Sequence, residues 1–330
     1  MTALGIVGTG SHLPEREVTN KELAEWCGID AGWIEERTEI VTRRYAAPEE
    51  ATSDLAARAA ARALEAAGIP AGALTHLIVS TSTGDSPQPP TAHLVQHALG
   101  AHAAACLDIN VVCSGFVYGL ELAHRLLAAH PDGYALVVGA DVYSRILDYG
   151  DHRTAVLLGD GAGAAVVGPV RDGHGFLGTE LSSSGDAHGL IRVEAGGSRR
   201  PLTPQLLEEG GHFFRMDGRG VRDFVMDHVP PALHRLLRRS GVPAERVDHL
   251  VPHQPNGVLL RRLVERAGLS HVHTHRTLEK YGNIGSASVP VALDAARRSG
   301  ALADGDLVLL AGFGGGMSIG ATLIRWQEQT

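Results

Sequence analysis

The sequence predicts an α/β protein built from two copies of one unit, and three observations lead to this prediction. Short segments of the two halves match at a constant separation of 173 positions, as from Gly68 to Gly241 and from Gly139 to Gly312. Apolar runs typical of buried strands alternate with runs of helical periodicity in both halves. The 330 residues are enough to bury a large core in one or two domains.

Each copy is predicted to contain a helix, a turn with glycine and proline, a strand, a second helix and a further strand. The matched segments are residues 4–5 with 177–178, 68–78 with 241–251, and 136–139 with 309–312. Such a period is far too long for a solenoid repeat. We therefore expect two halves, 1–170 and 171–330, with a site at the interface between them.

Cys113 stands at the junction of a predicted strand and a predicted helix. It follows the apolar run 107–112 and precedes a helix-periodic run over 114–129. A helix N-terminus offers unpaired N–H groups and a positive dipole end, which favour a thiolate over a thiol. Cys113 is therefore a candidate nucleophile, and the alternative is a small buried core thiol. This segment alone leaves both interpretations open.

The repeat brings two more chemical groups toward the same region. A shift of 173 positions carries Cys113 onto Ser286, in a segment that also contains Asn283. The strand that ends at Pro252 delivers His253 at its C-terminal end. We expect Cys113, His253 and Asn283 to converge between the two halves.

Composition excludes several classes of function. The formal net charge is −8 and no long basic run occurs, which argues against a general nucleic-acid binder. Three cysteines are too few for a disulfide framework, and they fit a reducing compartment. The N-terminal residues do not resemble a signal peptide, and no apolar run could span a bilayer. We predict a cytoplasmic protein without a membrane partner.

These residues resemble the β-ketoacyl-ACP synthase III family of the thiolase superfamily. The resemblance runs from Gly5 to Arg325. The motifs that carry it are residues 108–116, 159–164, 251–256, 281–283 and 313–316. The order Cys, His, Asn is specific in combination and favours the nucleophile over the core thiol. The resemblance implies a five-layered αβαβα fold and a homodimer, with acyl-CoA as a substrate and no cofactor or metal.

The family resemblance also implies a two-stage reaction. The Cys113 thiolate accepts an acyl group, while the N–H groups of Cys113 and Gly315 form the oxyanion hole. A malonyl thioester, carried by acyl carrier protein or by CoA, then loses carbon dioxide. His253 and Asn283 donate hydrogen bonds to the resulting enolate, which attacks the acyl group. The β-ketoacyl product would enter fatty-acid or polyketide biosynthesis.

Substrate-binding residues follow from the same resemblance. Trp33 is expected to stack on the CoA adenine and Arg37 to meet the nucleotide end. The family's second adenine-stacking arginine falls on His152 or Arg153, and Arg153 is the preferred candidate. Asn256 completes the predicted CoA site.

The predicted acyl pocket contains Gln88 and Phe313. The loop with Gln88 matches one that reaches the partner's acyl pocket, where well-known family members carry a bulky aromatic. Gly257 and Val258 occupy positions where an arginine commonly helps to dock acyl carrier protein. Three arginines on the following helix are candidate substitutes: Arg261, Arg262 and Arg266.

Two further patterns have simple structural interpretations. His271, His273 and His275 alternate, so a strand would place them on one face, and a solvated face is preferred to a metal site. The glycine-rich segment 159–163 lacks the spacing of a phosphate loop and is interpreted as a turn.

Three functions compete on these observations. The leading hypothesis is a decarboxylative condensing enzyme, because Asn283 suits the stabilisation of an enolate. The second is an acyltransferase of the same fold that moves the acyl group from Cys113 to a hydroxyl or an amine. The third is a catalytically silent partner subunit, against which the presence of Cys113, His253 and Asn283 argues.

Overall fold

Helices and strands alternate along the chain in the computed structural model, which describes residues 2–328. The elements of the first half are β1 (Leu4–His12), β2 (Arg16–Thr19), α1 (Asn20–Cys27), α2 (Ala31–Thr38), β3 (Thr42–Tyr45), α3 (Thr52–Ala67), β4 (Leu74–Ser80), α4 (Thr91–Leu99), β5 (Ala105–Ile109), α5 (Gly115–Leu127), β6 (Tyr134–Val142), α6 (His152–Ala155) and β7 (Asp160–Pro169). Those of the second half are β8 (Gly175–Ser183), β9 (Ile191–Val193), α7 (Pro204–Glu208), β10 (Phe214–Met216), α8 (Gly218–Arg239), β11 (His249–Pro252), α9 (Gly257–Arg266), β12 (His273–Thr274), α10 (Leu278–Tyr281), α11 (Ser288–Arg298), β13 (Leu307–Gly314) and β14 (Ser318–Arg325).

Two five-stranded sheets have the same strand order. The first runs β1-β7-β6-β4-β5, and the second, read from β8, runs β8-β14-β13-β11-β12. In both sheets the first three strands are antiparallel and the last three parallel. Short 3₁₀ turns at Ala71–Ala73 and Ala244–Arg246 keep the separation of 173 residues, as do those at Val112–Ser114 and Gly285–Ala287. The two halves are therefore copies of one topology.

Helices cover both faces of each sheet and produce five layers. α3 and α4 pack on the outer face of the first sheet, and α8 and α9 on the outer face of the second. α5 and α11 lie between the sheets. Side chains of β6 and β13 alternate between the outer and the central cores, which is why both strands read as continuous apolar runs. The predicted αβαβα fold is confirmed.

The central layer places the segment around Cys113. Residues Phe116, Val117 and Leu120 of α5 are fully buried and touch both sheets. Burial of each such side chain stabilises the fold by about 1.5–3 kcal/mol. Because both sides of α5 are packed, its N-terminus is held rigidly at the ends of the strands.

The glycine-rich segment 159–163 is not a turn, so that prediction is wrong. Residues 160–163 begin β7, a strand hydrogen-bonded on both sides. A Cβ at Gly163 would lie 2.7 Å from the backbone nitrogen of Val291, so glycine lets α11 approach the sheet. The glycines serve close helix–sheet packing, which a turn-based interpretation overlooks.

The three alternating histidines do not share a strand face. β12 contains only His273 and Thr274, and His271 lies outside it. His275 is buried, and its ring contacts His249 of β11 instead of His271. Within residues 2–328, no group of three His, Cys, Asp or Glu side chains is arranged to hold a metal ion.

The predicted division after residue 170 falls between β7 and β8 and stays a prediction. None of the helices in residues 2–328 has the length and apolar character needed to cross a membrane.

Candidate active site

Cys113 lies in a tight 3₁₀ turn, Val112–Ser114, immediately before α5. Val112 has φ of 46°, a left-handed conformation that is uncommon for a β-branched residue. Such backbone strain concentrates at functional sites. Gly314 at the end of β13 packs against the thiol, because a Cβ there would lie 2.8 Å from the Cys113 Cβ and 3.0 Å from Sγ.

Two backbone donors point at the Cys113 sulfur. The N–H groups of Cys113 and Gly315 lie close to the thiol, and each lowers the pKa of Cys113. These are the two donors that the sequence predicts for an oxyanion hole. An acyl carbonyl attached to Sγ would place its oxygen near the same pair of N–H groups.

The thiol of Cys113 is neutral in the resting protein, in contrast to the sequence-based expectation of a thiolate. Burial, together with the negative charge of Asp141, raises the pKa of Cys113 to about 12 despite the two N–H donors. Only 7% of the residue is exposed. Loss of hydration outweighs the helix N-terminus here, because desolvation opposes the charged form directly.

Alkylation of Cys113 should therefore depend steeply on pH. We expect the rate of reaction with iodoacetamide to rise about tenfold per pH unit from pH 7 to pH 9, without a plateau, because only the thiolate reacts. Mass spectrometry of the peptide that contains Cys113 measures this rate. Glutathione, an unperturbed thiol, serves as the control and should level off near pH 9. A plateau for Cys113 below pH 8 would contradict a raised pKa.

His253 follows β11 and lies in the interior with 2% of its surface exposed. Its N–H donates to the carbonyl of Ala311 at 2.7 Å, which joins this residue to β13. The ring stands edge-on to Phe313, with centroids 5.4 Å apart. Burial lowers the pKa of His253 to about 3, so the imidazole is neutral at pH 7 and suited to donate a hydrogen bond.

His253 is held in place by the residue that follows it. Gln254 is fully buried, and its Nε2 donates to the carbonyls of Pro252 and His275 at 2.8 and 3.1 Å. Its Oε1 accepts from the N–H of Thr277 at 3.2 Å. Three hydrogen bonds therefore brace the chain directly beside the imidazole.

Asn283 is oriented by backbone hydrogen bonds on both sides. Its N–H donates to Leu157 at 2.8 Å, and its carbonyl accepts from Gly159 at 2.9 Å. The side-chain Oδ1 accepts from the N–H of Gly285 at 3.0 Å. Within residues 2–328 the amide Nδ2 has no hydrogen-bond partner, so it is available as a donor.

Asp141 anchors the loop that carries Asn283. This buried carboxylate accepts from the N–H groups of Ser286 and Ser82, both at 2.9 Å, and from the Ser286 hydroxyl at 2.8 Å. Burial raises the pKa of Asp141, whereas the hydrogen bonds oppose that shift. The aspartate thus ties the end of β4 to the turn after Asn283.

Two adjoining chambers with shared walls lie between the surface and Cys113. The inner one, of about 40 Å³, is lined by Cys113, His253, Asn283 and Phe313. The outer one, of about 430 Å³, opens to solvent. Residues that line both chambers are Leu157, Met216, Val221, Pro255, Leu259 and Asn283. The three predicted catalytic side chains therefore line one chamber, which shares a wall with the outer chamber.

The outer chamber contains all four predicted CoA-binding residues: Trp33, Arg37, Arg153 and Asn256. His152 packs edge-on against Trp33 with ring centroids 5.3 Å apart, so Arg153 is the member of that pair that lines the chamber. Asn256 already uses its side chain structurally. Its Oδ1 accepts from the N–H of Leu259, and its Nδ2 donates to the carbonyl of Arg37, both at 3.0 Å.

The two predicted acyl-pocket residues behave differently. Phe313 lines the inner chamber, whereas Gln88 is exposed and does not line either chamber of its own chain. The three arginines proposed as substitutes for a docking arginine lie on α9, as expected. Of these, only Arg262 lines the outer chamber.

Comparisons with known proteins identify the family of the chain. The family model for 3-oxoacyl-[acyl-carrier-protein] synthase III matches residues 107–185. A second model, for the C-terminal part of the same synthase, matches residues 237–326. Acetoacetyl CoA synthase NphT7 of Streptomyces sp. strain CL190 is 50% identical, over 97% of this chain and 98% of that protein. The β-ketoacyl-[acyl-carrier-protein] synthase III of Caldanaerobacter subterraneus is 41% identical, over 99% and 98%. The chain belongs to the β-ketoacyl-ACP synthase III family.

A solved structure extends the similarity to the whole fold. The 3-oxoacyl-(acyl carrier protein) synthase III of Pseudomonas aeruginosa PAO1 superposes with a TM-score of 0.90 at 34% identity and covers 99% of both chains. The present family member is accordingly a condensing enzyme of the acyltransferase class with the thiolase fold.

Sequence reasoning missed much of the inner wall of this synthase. Ile191, Phe214 and Met216 line the inner chamber from β9 and β10, in the segment between β8 and α8. This segment lies outside the matched positions of the repeat. The one available signal is the alternation of Phe214 and Met216, which indicates a strand with one apolar face.

Proposed function

We propose that the protein loads a short acyl group from acyl-CoA onto Cys113 and condenses it with malonyl-CoA to give a β-ketoacyl-CoA. One observation carries the proposal. A nucleotide-sized outer chamber with Trp33, Arg37 and Arg153 shares a wall with an inner chamber lined by Cys113, His253 and Asn283. The inner volume of about 40 Å³ has room for about three water-sized groups, which suits an acetyl primer.

The first step forms an acyl-cysteine. Sulfur of Cys113 attacks the thioester carbonyl of acyl-CoA, and the carbon–sulfur bond to CoA breaks. Cys113 loses its proton as its sulfur attacks, and the departing CoA sulfur takes up one proton, so the step has no net release or uptake of protons. The N–H groups of Cys113 and Gly315 stabilise the tetrahedral oxyanion between these events.

The second step makes the carbon–carbon bond. Malonyl-CoA loses carbon dioxide, and the electron pair of the broken bond forms an enolate. Neutral His253 and the Asn283 amide donate hydrogen bonds to the enolate oxygen. The enolate carbon attacks the acyl-cysteine, and the Cys113 thiolate leaves and takes up a proton. No cofactor takes part in either step.

Charges around the entrance support malonyl-CoA over a carrier protein as the acceptor. Three arginines of α8 and α9 are paired with acidic side chains: Arg222 with Asp223, Arg261 with Glu39, and Arg266 with Asp227. A Cβ at Gly257 would lie 2.5 Å from the Glu39 carboxylate, so this position has no room for a larger side chain. An acidic carrier protein binds best to an unpaired cationic patch, which these pairs reduce.

A homodimer is part of the proposal. β5 is the edge strand of the first sheet, and its residues 106–109 are only half-buried. Exposed strand edges of this kind favour pairing with another chain. The loop with Gln88 is exposed on the single chain and would meet the partner in such a dimer. Light scattering should give twice the monomer mass of 34.7 kDa.

Intact-mass measurement with a panel of acyl-CoAs tests the first stage. We expect an adduct on Cys113 with acetyl-CoA, retained in Cys106→Ser and absent in Cys113→Ser. An acyl-enzyme that releases no carbon dioxide with any malonyl thioester, but acylates an alcohol or an amine, would favour the acyltransferase. The absence of an adduct across the panel would overturn both enzymatic functions.

The acceptor is tested with acetylated enzyme and equal concentrations of malonyl-CoA and malonyl-acyl carrier protein. We expect condensation with malonyl-CoA to have at least a tenfold higher kcat/KM, because the entrance lacks an extended cationic patch. Chromatographic detection of acetoacetyl-CoA gives the rate. A preference for the carrier protein would overturn the choice of acceptor and leave the condensation intact.

A further inference from the structure

We propose that Arg262 binds a phosphate of the CoA thioesters, an inference that rests on the function proposed above. Arg262 lies on α9 and its side chain lines the outer chamber. Within residues 2–328 its guanidinium makes no ion pair and no hydrogen bond. A solvated cation on the wall of a nucleotide-sized chamber is available to an anionic ligand.

Neighbouring arginines of α9 are engaged elsewhere. Arg261 forms an ion pair with Glu39. Arg266 donates to the carbonyl of Met226 at 2.8 Å and to Asp227 at 3.2 Å. Arg262, between them in sequence, is the arginine of this helix that faces the chamber.

The charge of the outer chamber points to a polyanion. Its ionisable lining residues are Arg37, Arg153, Arg222, Arg262 and Glu36. Arg222 is paired with Asp223, so within residues 2–328 three guanidinium groups without an ion pair face one carboxylate, in a protein whose formal net charge is −8. Cations focused at a cleft of an otherwise acidic molecule raise the local concentration of an anionic substrate. Several phosphates on one ligand would satisfy them together.

The position of Arg262 along α9 separates it from the reacting groups. Leu259 lines both chambers, and Arg262, one turn further along the helix, lines only the outer one. Arg262 therefore contacts the part of the ligand that remains outside the inner chamber. Arg262 therefore contributes to ligand binding and does not contact the atoms whose bonds change.

Binding of coenzyme A itself tests the proposal without any turnover. Calorimetry should show that Arg262→Ala weakens CoA binding about tenfold or more, the usual effect of losing a hydrogen bond between two charged groups. Arg262→Lys should recover part of the loss. Arg261→Ala, one residue away but paired with Glu39, is the matched control and should change the dissociation constant less than twofold.

Truncated ligands show which interaction is lost. With acetyl-pantetheine, which has no phosphate, we expect KM to be the same for the wild type and Arg262→Ala. Dephospho-CoA distinguishes the 3′-phosphate from the diphosphate, since the variant effect disappears only if Arg262 binds the missing 3′-phosphate. An equal loss with CoA and pantetheine substrates would show a structural effect and overturn the proposal.

Two other outcomes also count against it. An unchanged dissociation constant for CoA in Arg262→Ala would remove the proposed contact. A variant that loses activity with malonyl-acyl carrier protein and keeps its affinity for CoA would assign Arg262 to protein docking. Because CoA binding is measured without turnover, it stays informative if Cys113 forms no adduct, the result that would instead overturn the proposed function.

Discussion

Replacement of Asn283 with alanine is expected to leave acylation of Cys113 within about twofold of the wild type and to reduce condensation about 10²–10³-fold. In the proposed reaction the amide Nδ2 donates to the enolate, whereas the backbone N–H groups of Cys113 and Gly315 stabilise the oxyanion of the first step. Intact mass measures the first step. Labelled carbon dioxide released from malonyl-CoA measures the second.

The aspartate variant sharpens this experiment. Asn283→Asp keeps the size of the side chain and its acceptor for the Gly285 N–H, but its carboxylate cannot donate and repels an enolate. We expect it to lose decarboxylation at least as completely as the alanine variant, with acylation retained. Equal losses of acylation and decarboxylation in both variants would show that Asn283 maintains the architecture instead of stabilising the enolate.

The rigid setting of Asn283 is the physical reason to expect so large an effect from a single amide. Its backbone bridges Leu157 and Gly159, and the following turn hangs on the fully buried Asp141. A donor fixed before reaction does not have to reorganise when charge develops on the enolate. The same aspartate binds Ser82 after β4, so the loop that leads to Gln88 and the loop of Asn283 share one anchor.

The repeat made the fold and the meeting of the three side chains predictable from sequence. Glycine and proline turns fix chain reversals, and the separation of 173 residues then relates the turn at Cys113 to that at Ser286. Cys113, His253 and Asn283 line one inner chamber, as expected from strands that end at the same edge.

Features that depend on the environment of a group were not predictable in this way. A sequence shows that Cys113 precedes a helix, but it does not show that desolvation raises the pKa of its thiol to about 12. The glycines of β7 suggested a turn, but they are needed because α11 packs closely against this strand. That contact joins residues far apart in sequence, so the local pattern does not show it. Ile191 and Phe214 belong to a segment without a counterpart in the repeat, so no pattern placed them at the site.

Mild acid is expected to destabilise the protein through two buried histidines. Burial lowers the pKa of His253 to about 3, and burial together with the positive charges of His273 and His249 lowers that of His275 to about 4. In the unfolded chain both titrate near 6.5, so the unfolded state binds more protons below that pH. Their contribution to stability is complete above pH 6.5 and is lost as the pH falls toward 3–4.

The loss at pH 5 is about 2 kcal/mol for each histidine, since one pKa unit corresponds to about 1.4 kcal/mol. Asp160 opposes it in part, because burial raises its pKa to about 6 and its protonation below that pH favours the folded state. His275 Nε2 lies 3.1 Å from His249 Nδ1, and His249 Nε2 lies 3.0 Å from Asp306 Oδ2. Comparison of the wild type with a variant of His275 isolates the contribution of this histidine to the pH dependence.

Urea unfolding of His275→Gln at pH 7, 6 and 5 should show a free energy of unfolding that falls about 2 kcal/mol less over this range than that of the wild type. Glutamine keeps a polar side chain and removes the titration, so the slope against pH reports on the histidine rather than on the substitution. His271→Gln, on the exposed side of the same segment, should retain the wild-type slope. Parallel slopes for all three proteins would mean that His275 binds protons equally well in the folded and the unfolded chain, and the acid sensitivity would then have to come from other groups.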